Sequence, residues 1–225
     1  MKKFLLALAI TLGFSSAHAQ DDFMWGLTGG LNVSGFSGDY KSKNGFDHSA
    51  KAGFNVGLKA EYTVSDPFFV EGSVVLSGKG FKLNYSDEVL NNEDLKNVFA
   101  KEQISLDEEN KVDLWYLHIP INFGYKFSIN DFLAVAPKVG VYVDLGLWGS
   151  DSYENNPFTV YDSWKKNPYF ENNNFNRFDF GFGFGLNFWA ANHFEVSTGY
   201  ELGMVKAYKA DSKPRNWYLN LAFLF

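Results

Sequence analysis

The chain contains no cysteine, so it can build no disulfide framework, no thiolate metal site and no cysteine nucleophile. Histidine is nearly as scarce. His18, His48, His118 and His193 stand far apart, without the spacing of a zinc site. Beyond the N-terminal region, no stretch approaches the roughly 18 consecutive apolar residues of a membrane helix. Basic side chains are the minority, 20 against 26 acidic ones, and a net charge of −6 argues against nucleic acid as a partner. No cofactor, metal or catalytic constellation is expected.

What is present in excess is aromatic: Phe, Trp and Tyr make up 19% of the residues, beside 21 glycines. That balance is unusual for a soluble domain.

The N-terminus divides into Met1-Lys2-Lys3, an apolar stretch from Phe4 to Phe14, and Ser15-Ser16-Ala17-His18-Ala19. This is the three-part form of a secretory signal peptide over residues 1–19, with cleavage before Gln20. A membrane anchor there is excluded by length, because a spanning helix needs about 20 apolar residues. Removing Lys2 and Lys3 from the 20 basic side chains leaves 18 against 26, a net charge of −8 for residues 20–225.

Those residues alternate. Phe178, Phe180, Phe182, Phe184, Leu186 and Phe188 are interleaved with Asp179, Gly181, Gly183, Gly185 and Asn187, so a strand from Arg177 to Phe188 has one aromatic face and one small or polar face. The same period runs from Ala52 to Tyr62, Trp115 to Phe127, Leu133 to Leu145 and Trp217 to Phe225, and more weakly from Trp25 to Val33, Phe68 to Leu76 and Phe194 to Met204. Eight strands of about 9 to 14 residues suit a bilayer, which takes about 9–11 at the usual tilt. Connections alternate too: residues 63–67, 128–131 and 190–193 are tight turns, whereas 35–49, 83–110, 148–176 and 206–214 are long. The expected fold is an all-β, eight-stranded antiparallel up-and-down transmembrane barrel with both termini on the periplasmic side.

A soluble barrel would turn its apolar face inward. Here that face carries more bulk than an eight-stranded lumen holds, so the small face is expected inside. It carries Lys51, Lys59, Lys79, Lys126, Lys138 and Arg177 against Glu61, Glu71, Asp144, Asp179, Glu195 and Glu201, six of each sign, which predicts mutual pairing in a filled lumen. Trp25, Tyr62, Trp115, Tyr125, Trp189 and Trp217 fall near strand ends, as interfacial girdles require. Pro120 and Pro137 sit mid-strand and predict a bulge at each.

The segment Tyr116-Leu117-His118-Ile119-Pro120-Ile121 resembles the Tyr-Leu-x-Ile-Pro-hydrophobic strand of the PorT-like outer-membrane β-barrel proteins of the Bacteroidota. Arg177-Phe178-Asp179-Phe180-Gly181, followed by Gly183 and Gly185, resembles that family's Phe-Asp-x-Gly strand. With a Gly-rich first strand and the terminal Phe225, the similarity spans nearly all of residues 20–225; it departs at His118, where the family carries an acidic residue. The resemblance implies an integral barrel in the outer membrane of a Gram-negative bacterium, inserted among outer-membrane lipids by the barrel-assembly machinery. That machinery would read Trp217, Leu219, Leu221, Phe223 and Phe225 as a C-terminal insertion signal. The family's namesake is linked to type IX secretion.

Site candidates are few. His118 is expected in the lumen near Lys126 and the acidic residues of neighbouring strands, as a hydrogen-bonded residue or a general base. His48-Ser49 could be an acyl-transfer pair, but adjacent residues on an extended chain point apart. The acidic segment 83–110, with Asp87, Glu88, Glu93, Asp94, Glu102, Asp107, Glu108 and Glu109, reads as a solvated face or a divalent-cation binder without the pattern of a calcium loop. Segment 148–176 carries Tyr153, Phe158, Tyr161, Trp164, Tyr169, Phe170 and Phe175 among asparagines. It reads as a self-packed cap or a surface for an extracellular glycan or protein. The leading reading is a non-enzymatic structural, adhesive or secretion-accessory protein working through its outer loops; the rivals are a lipid-modifying enzyme using His48 or His118 and a narrow pore.

Overall fold

A computed structural model describes residues 22–37, 46–85, 92–93, 110–153, 176–191, 193–206 and 212–225. The expected signal peptide lies outside them. The strands are β1 Phe23–Ser37, β2 Phe46–Ser65, β3 Phe68–Tyr85, β4 Asn110–Tyr125, β5 Phe127–Ser128, β6 Leu133–Tyr153, β7 Phe178–Ala190, β8 Phe194–Gly203 and β9 Lys213–Leu224. β5 is a two-residue continuation of β4 beyond Lys126, pairing with the foot of β6.

All neighbours are antiparallel. The order β4-β3-β2-β1-β9-β8-β7-β6 closes on itself through β4–β6, giving an eight-stranded barrel. Its seam joins the first and last strands from Gly26↔Leu224 to Ser37↔Lys213. Closure removes the unpaired sheet edges that hydrocarbon does not tolerate.

Burial is inverted relative to a water-soluble protein. Phe182, Phe184 and Leu221 are 55%, 55% and 64% exposed on the outward face, while Asn32, Asn187 and Glu61 are at most 1% exposed inside. Glycines admit the lumen rings. A Cβ on Gly181 would lie 2.6 Å from the Tyr142 ring, and one on Gly199 would lie 2.7 Å from Tyr218 Cζ.

The strands are longer than the alternation predicts. β2, β3 and β6 have 20, 18 and 21 residues and run into the expected loops 35–49, 83–110 and 148–176, pairing as far as Phe46↔Tyr85 and Asn110↔Tyr153. Outside lipid a ladder needs no apolar face, so the pattern fades before the pairing does. At about 3.3 Å per residue and a tilt of about 40°, a strand the length of β2 rises about 50 Å, twice the roughly 25 Å apolar band.

Neither proline makes a bulge. Gly72↔Ile121 and Val75↔His118 keep one register, and the pairs of Ser73 and Val74 with Pro120 and Ile119 are simply missing. Opposite Pro137, the pairs between Gly124↔Lys138 and Phe127↔Val135 are missing in the same way, which is why β5 is separate from β4. A proline lacks only its own N–H, and the ladder resumes in phase on either side. Register shifts fall instead at Ala50/Asn55, Thr63/Ser65 and Trp115/Tyr116. The last inserts Leu147 and brings Trp148 onto Trp115, with ring centroids 5.8 Å apart.

The tight turns define one end of the barrel. In the turn before β6, Asn130 Oδ1 accepts the backbone N–H groups of Phe132 and Leu133 at 2.9 and 2.8 Å. Ala191, at φ 53°, donates its N–H to Phe132 O at 2.9 Å, and Phe225 N–H donates to Trp25 O at 2.7 Å, lacing this rim together.

Candidate functional site: a charge-paired lumen closed at both ends

Inward-facing residues stack in four layers. At the turn end Trp189, Ala222 and Leu224 are buried together, with Met24 and Ala134 against them. Trp189 therefore does not belong to the interfacial girdle expected of it: it follows Phe188 on β7 and so points inward, where the Lys126 ammonium lies 4.2 Å from its ring centroid. Trp25, Tyr62 and Trp217 are exposed outward.

Above this plug is a cluster of three lysines and three glutamates. Lys126 pairs with Glu61 at 2.8 Å, Lys59 with Glu71 at 2.7 Å and with Glu195, and Lys138 with Glu71 at 2.6 Å. Asn187 and Asn122 donate to Glu71 at 2.7 and 2.9 Å. Oxygens of Glu61, Glu71 and Glu195 lie within 4.8 Å of one another, a separation a metal ion could bridge. Three ammonium groups already balance the three carboxylates, so an added cation would meet uncompensated repulsion. The arrangement is an ion-pair cluster.

The next layer holds His118, whose Nδ1 is 2.7 Å from Asp144 Oδ1 and whose Nε2 is 3.0 Å from Glu201 Oε1. Lys79 pairs with Asp144 at 2.6 Å and lies 3.8 Å from Glu201. Tyr142 donates to Asp179 at 2.8 Å, Asn216 to Glu201 at 2.9 Å, and Asn32 to Asn216 at 3.3 Å. Register sets these meetings, since His118 is directly opposite Asp144. His118 is not beside Lys126, which belongs to the layer below. With both ring nitrogens held by carboxylates, neither is left to act as a base on a substrate.

The loop end is closed by Phe81, Val112 and Leu114, with Phe36 and Tyr116 packed against them. Between the plugs, the cavity lined by Lys59, Glu71, His118, Lys138, Glu195 and Glu201 measures about 40 Å³, room for a few water molecules and for no larger solute. Arg177, expected among the lumen charges, is exposed at the loop end, and Lys51 pairs with Asp113.

Alternation on the inward face marks most of the charged residues. The closing plugs were missed. Their signal is bulky apolar residues on the face otherwise given to glycine and polar groups: Phe69, Phe81, Leu114, Trp189 and Leu224. Trp217, Leu219, Leu221, Phe223 and Phe225 line one outward face. Of the aromatic segment, Tyr153 ends β6 opposite Asn110, while Phe158, Tyr161, Trp164, Tyr169, Phe170 and Phe175 lie outside the described residues. So do the His48 side chain and, of the eight acidic residues singled out in segment 83–110, all but the exposed Glu93.

A closed barrel with an apolar exterior, a polar interior and no sheet edge is an integral membrane β-barrel. Residues 18–208 match the outer membrane protein beta-barrel domain family, and the chain belongs to it. It is an outer-membrane protein. Among solved structures it is similar to Ail, the attachment invasion locus protein of Yersinia pestis, at 15% identity over 91% of this chain and 99% of that one, with a TM-score of 0.41. OprG from Pseudomonas aeruginosa is similar at 11% identity over 91% and 96%, with a TM-score of 0.48. Neisserial surface protein A is similar at 11% identity over 90% and 97%, with a TM-score of 0.42. No curated protein matches the chain in sequence.

Proposed function

We propose that this chain is a non-enzymatic outer-membrane barrel whose lumen is a structural core and whose activity is carried by the hairpins and loops at its loop end, in an adhesive, structural or secretion-accessory role. The observation that carries this reading is the closed lumen, with an apolar plug at each end and ion pairs between. Among the described residues it leaves no path for a solute through the lumen, and His118 and the lumen lysines are all paired. Binding would fall to the outer segments, with Tyr153, Phe158, Tyr161, Trp164, Tyr169 and Phe170 offering stacking surfaces to an extracellular glycan or protein.

The same reading takes residues 1–19 as a cleaved export signal and Trp217, Leu219, Leu221, Phe223 and Phe225 as the strand the barrel-assembly machinery recognises. It takes the chain as PorT-like and of the Bacteroidota, on the motifs at Tyr116–Ile121 and Arg177–Gly185. Planar-bilayer recording of the purified barrel tests the closed lumen: a silent membrane is expected, and discrete conductance steps would refute it.

A further inference from the structure

Among residues whose side chains are described, the turn end carries Asp22, Asp66 and Asp131 and neither lysine nor arginine outside the lumen. At the loop end the described side chains include Lys82, Lys111, Arg177, Lys206, Lys213 and Arg215 beside Asp113 and Glu93, and the sequence beyond the described residues adds the acidic segment 83–110. In the orientation of outer-membrane barrels, with short turns in the periplasm, the loop end meets the outer leaflet.

One place at this end is shaped. On the outward face of β9, Phe225, Phe223, Leu221, Leu219 and Trp217 give way directly to Arg215 and then Lys213. Trp217 pairs with Tyr200 on one side and Val33 on the other, so Arg215 sits one step above an aromatic level. Its own partner on β1 is Gly35, which has no side chain, and the next neighbour on β2 is Ala50. Between them is a hollow of about 240 Å³, bordered by Arg215, Trp217, Tyr200, Val33, Gly35 and Ala50. It is smaller than the roughly 300–1,000 Å³ of sites for whole small molecules.

We propose that this hollow binds the phosphate-bearing headgroup of an outer-leaflet lipid, with Arg215 as the phosphate ligand and Trp217 and Tyr200 against the adjoining lipid body. The depth is that of an interface. An outward-facing Arg costs about 2–4 kcal/mol at the bilayer midplane and close to nothing at its surface, and aromatic side chains mark that surface. The guanidinium fork matches two phosphate oxygens at once, and Lys213 adds a second positive charge on the same face. Gly35 keeps the floor open, since a Cβ there would already touch Ala50 at 3.5 Å. The site lies outside the lumen and stands independently of whether the lumen conducts.

Native mass spectrometry of the detergent-solubilised barrel, titrated with diphosphoryl lipid A, tests the proposal, with a boiling-dependent gel shift reporting that each variant is folded. The native chain should retain lipid A. Arg215→Gln should bind about tenfold more weakly, the change expected for one lost charge-assisted hydrogen bond, and Gly35→Val, which fills the hollow without altering charge, should also weaken binding. Unchanged affinity in a folded Arg215→Gln barrel would overturn the proposal; should that variant not fold, unchanged affinity in Gly35→Val would do so. Equal retention of lipid A from which both phosphates have been removed, or displacement of lipid A by millimolar inorganic phosphate, would also overturn it, the latter by making the site one for soluble anions.

Discussion

Glu71 is the hinge of the lower ion-pair cluster, and replacing it with glutamine removes one charge while keeping the shape. Its two oxygens accept from Lys138 at 2.6 Å, Lys59 at 2.7 Å, Asn187 at 2.7 Å and Asn122 at 2.9 Å. Lys59 retains Glu195, but Lys138 loses its carboxylate partner and keeps Ser197 at 3.4 Å. Breaking a buried pair from one side costs about 3–5 kcal/mol. At a urea slope of about 2 kcal/mol/M, the unfolding midpoint of Glu71→Gln should fall by about 2 M. Adding Lys138→Met should recover at least half of that loss, because removing both charges leaves no orphan. Urea titration in detergent, read by gel shift and by tryptophan fluorescence, measures both. A midpoint for Glu71→Gln within about 0.3 M of the native value, or a double variant weaker than the single one, would refute the claim that paired charge holds the lumen together.

Three other perturbations probe the lipid face, the lumen packing and the plug. Leu221→Arg, at the centre of the outward face of β9, should lower stability in vesicles by about 2–4 kcal/mol; a change below about 0.5 kcal/mol would place that face in water rather than hydrocarbon. Gly181→Val should cost about 3 kcal/mol or more, because its Cβ would run into the Leu202 carbonyl oxygen as well as meet the Tyr142 ring at 2.6 Å, and a native-like urea midpoint would contradict the close packing. Trp189→Ala should cost about 3–5 kcal/mol and speed amide exchange at the turn end of β7 and β9, whereas unchanged exchange would mean that the plug does not seal.

The facing of each strand was legible because lipid and lumen impose opposite chemistry on alternate residues: Phe178 to Phe188 point outward and Asp179 to Asn187 inward, as their order implies. Height along the barrel was not legible. His118 and Lys126 share an inward face, yet eight residues of strand separate them by about 26 Å, and the partner of His118 is set by the register of β4 on β6. Alternation shows a side and says nothing of which strand lies opposite. The prolines misled for a related reason: composition marks where an N–H is missing, but whether the chain shifts register or skips a pair depends on the neighbouring strands. Trp148 comes to stack on Trp115 only through the inserted Leu147, which reverses the parity of β6 beyond it.

The seam between β1 and β9 also carries side-chain bonds from opposite ends of the chain. Asn32 reaches Asn216, Thr28 reaches Leu221 O, and next to the seam Asn55 reaches Asn220 and Lys59 reaches Glu195. A sheet that has formed but not yet curled round keeps these partners on opposite edges. Glu195 then lacks Lys59, and Asn216 lacks Asn32, until the last strand finds the first. Closure is therefore proof-read: a barrel assembled one strand short or one register out would seal its edges and still enclose unmatched charge.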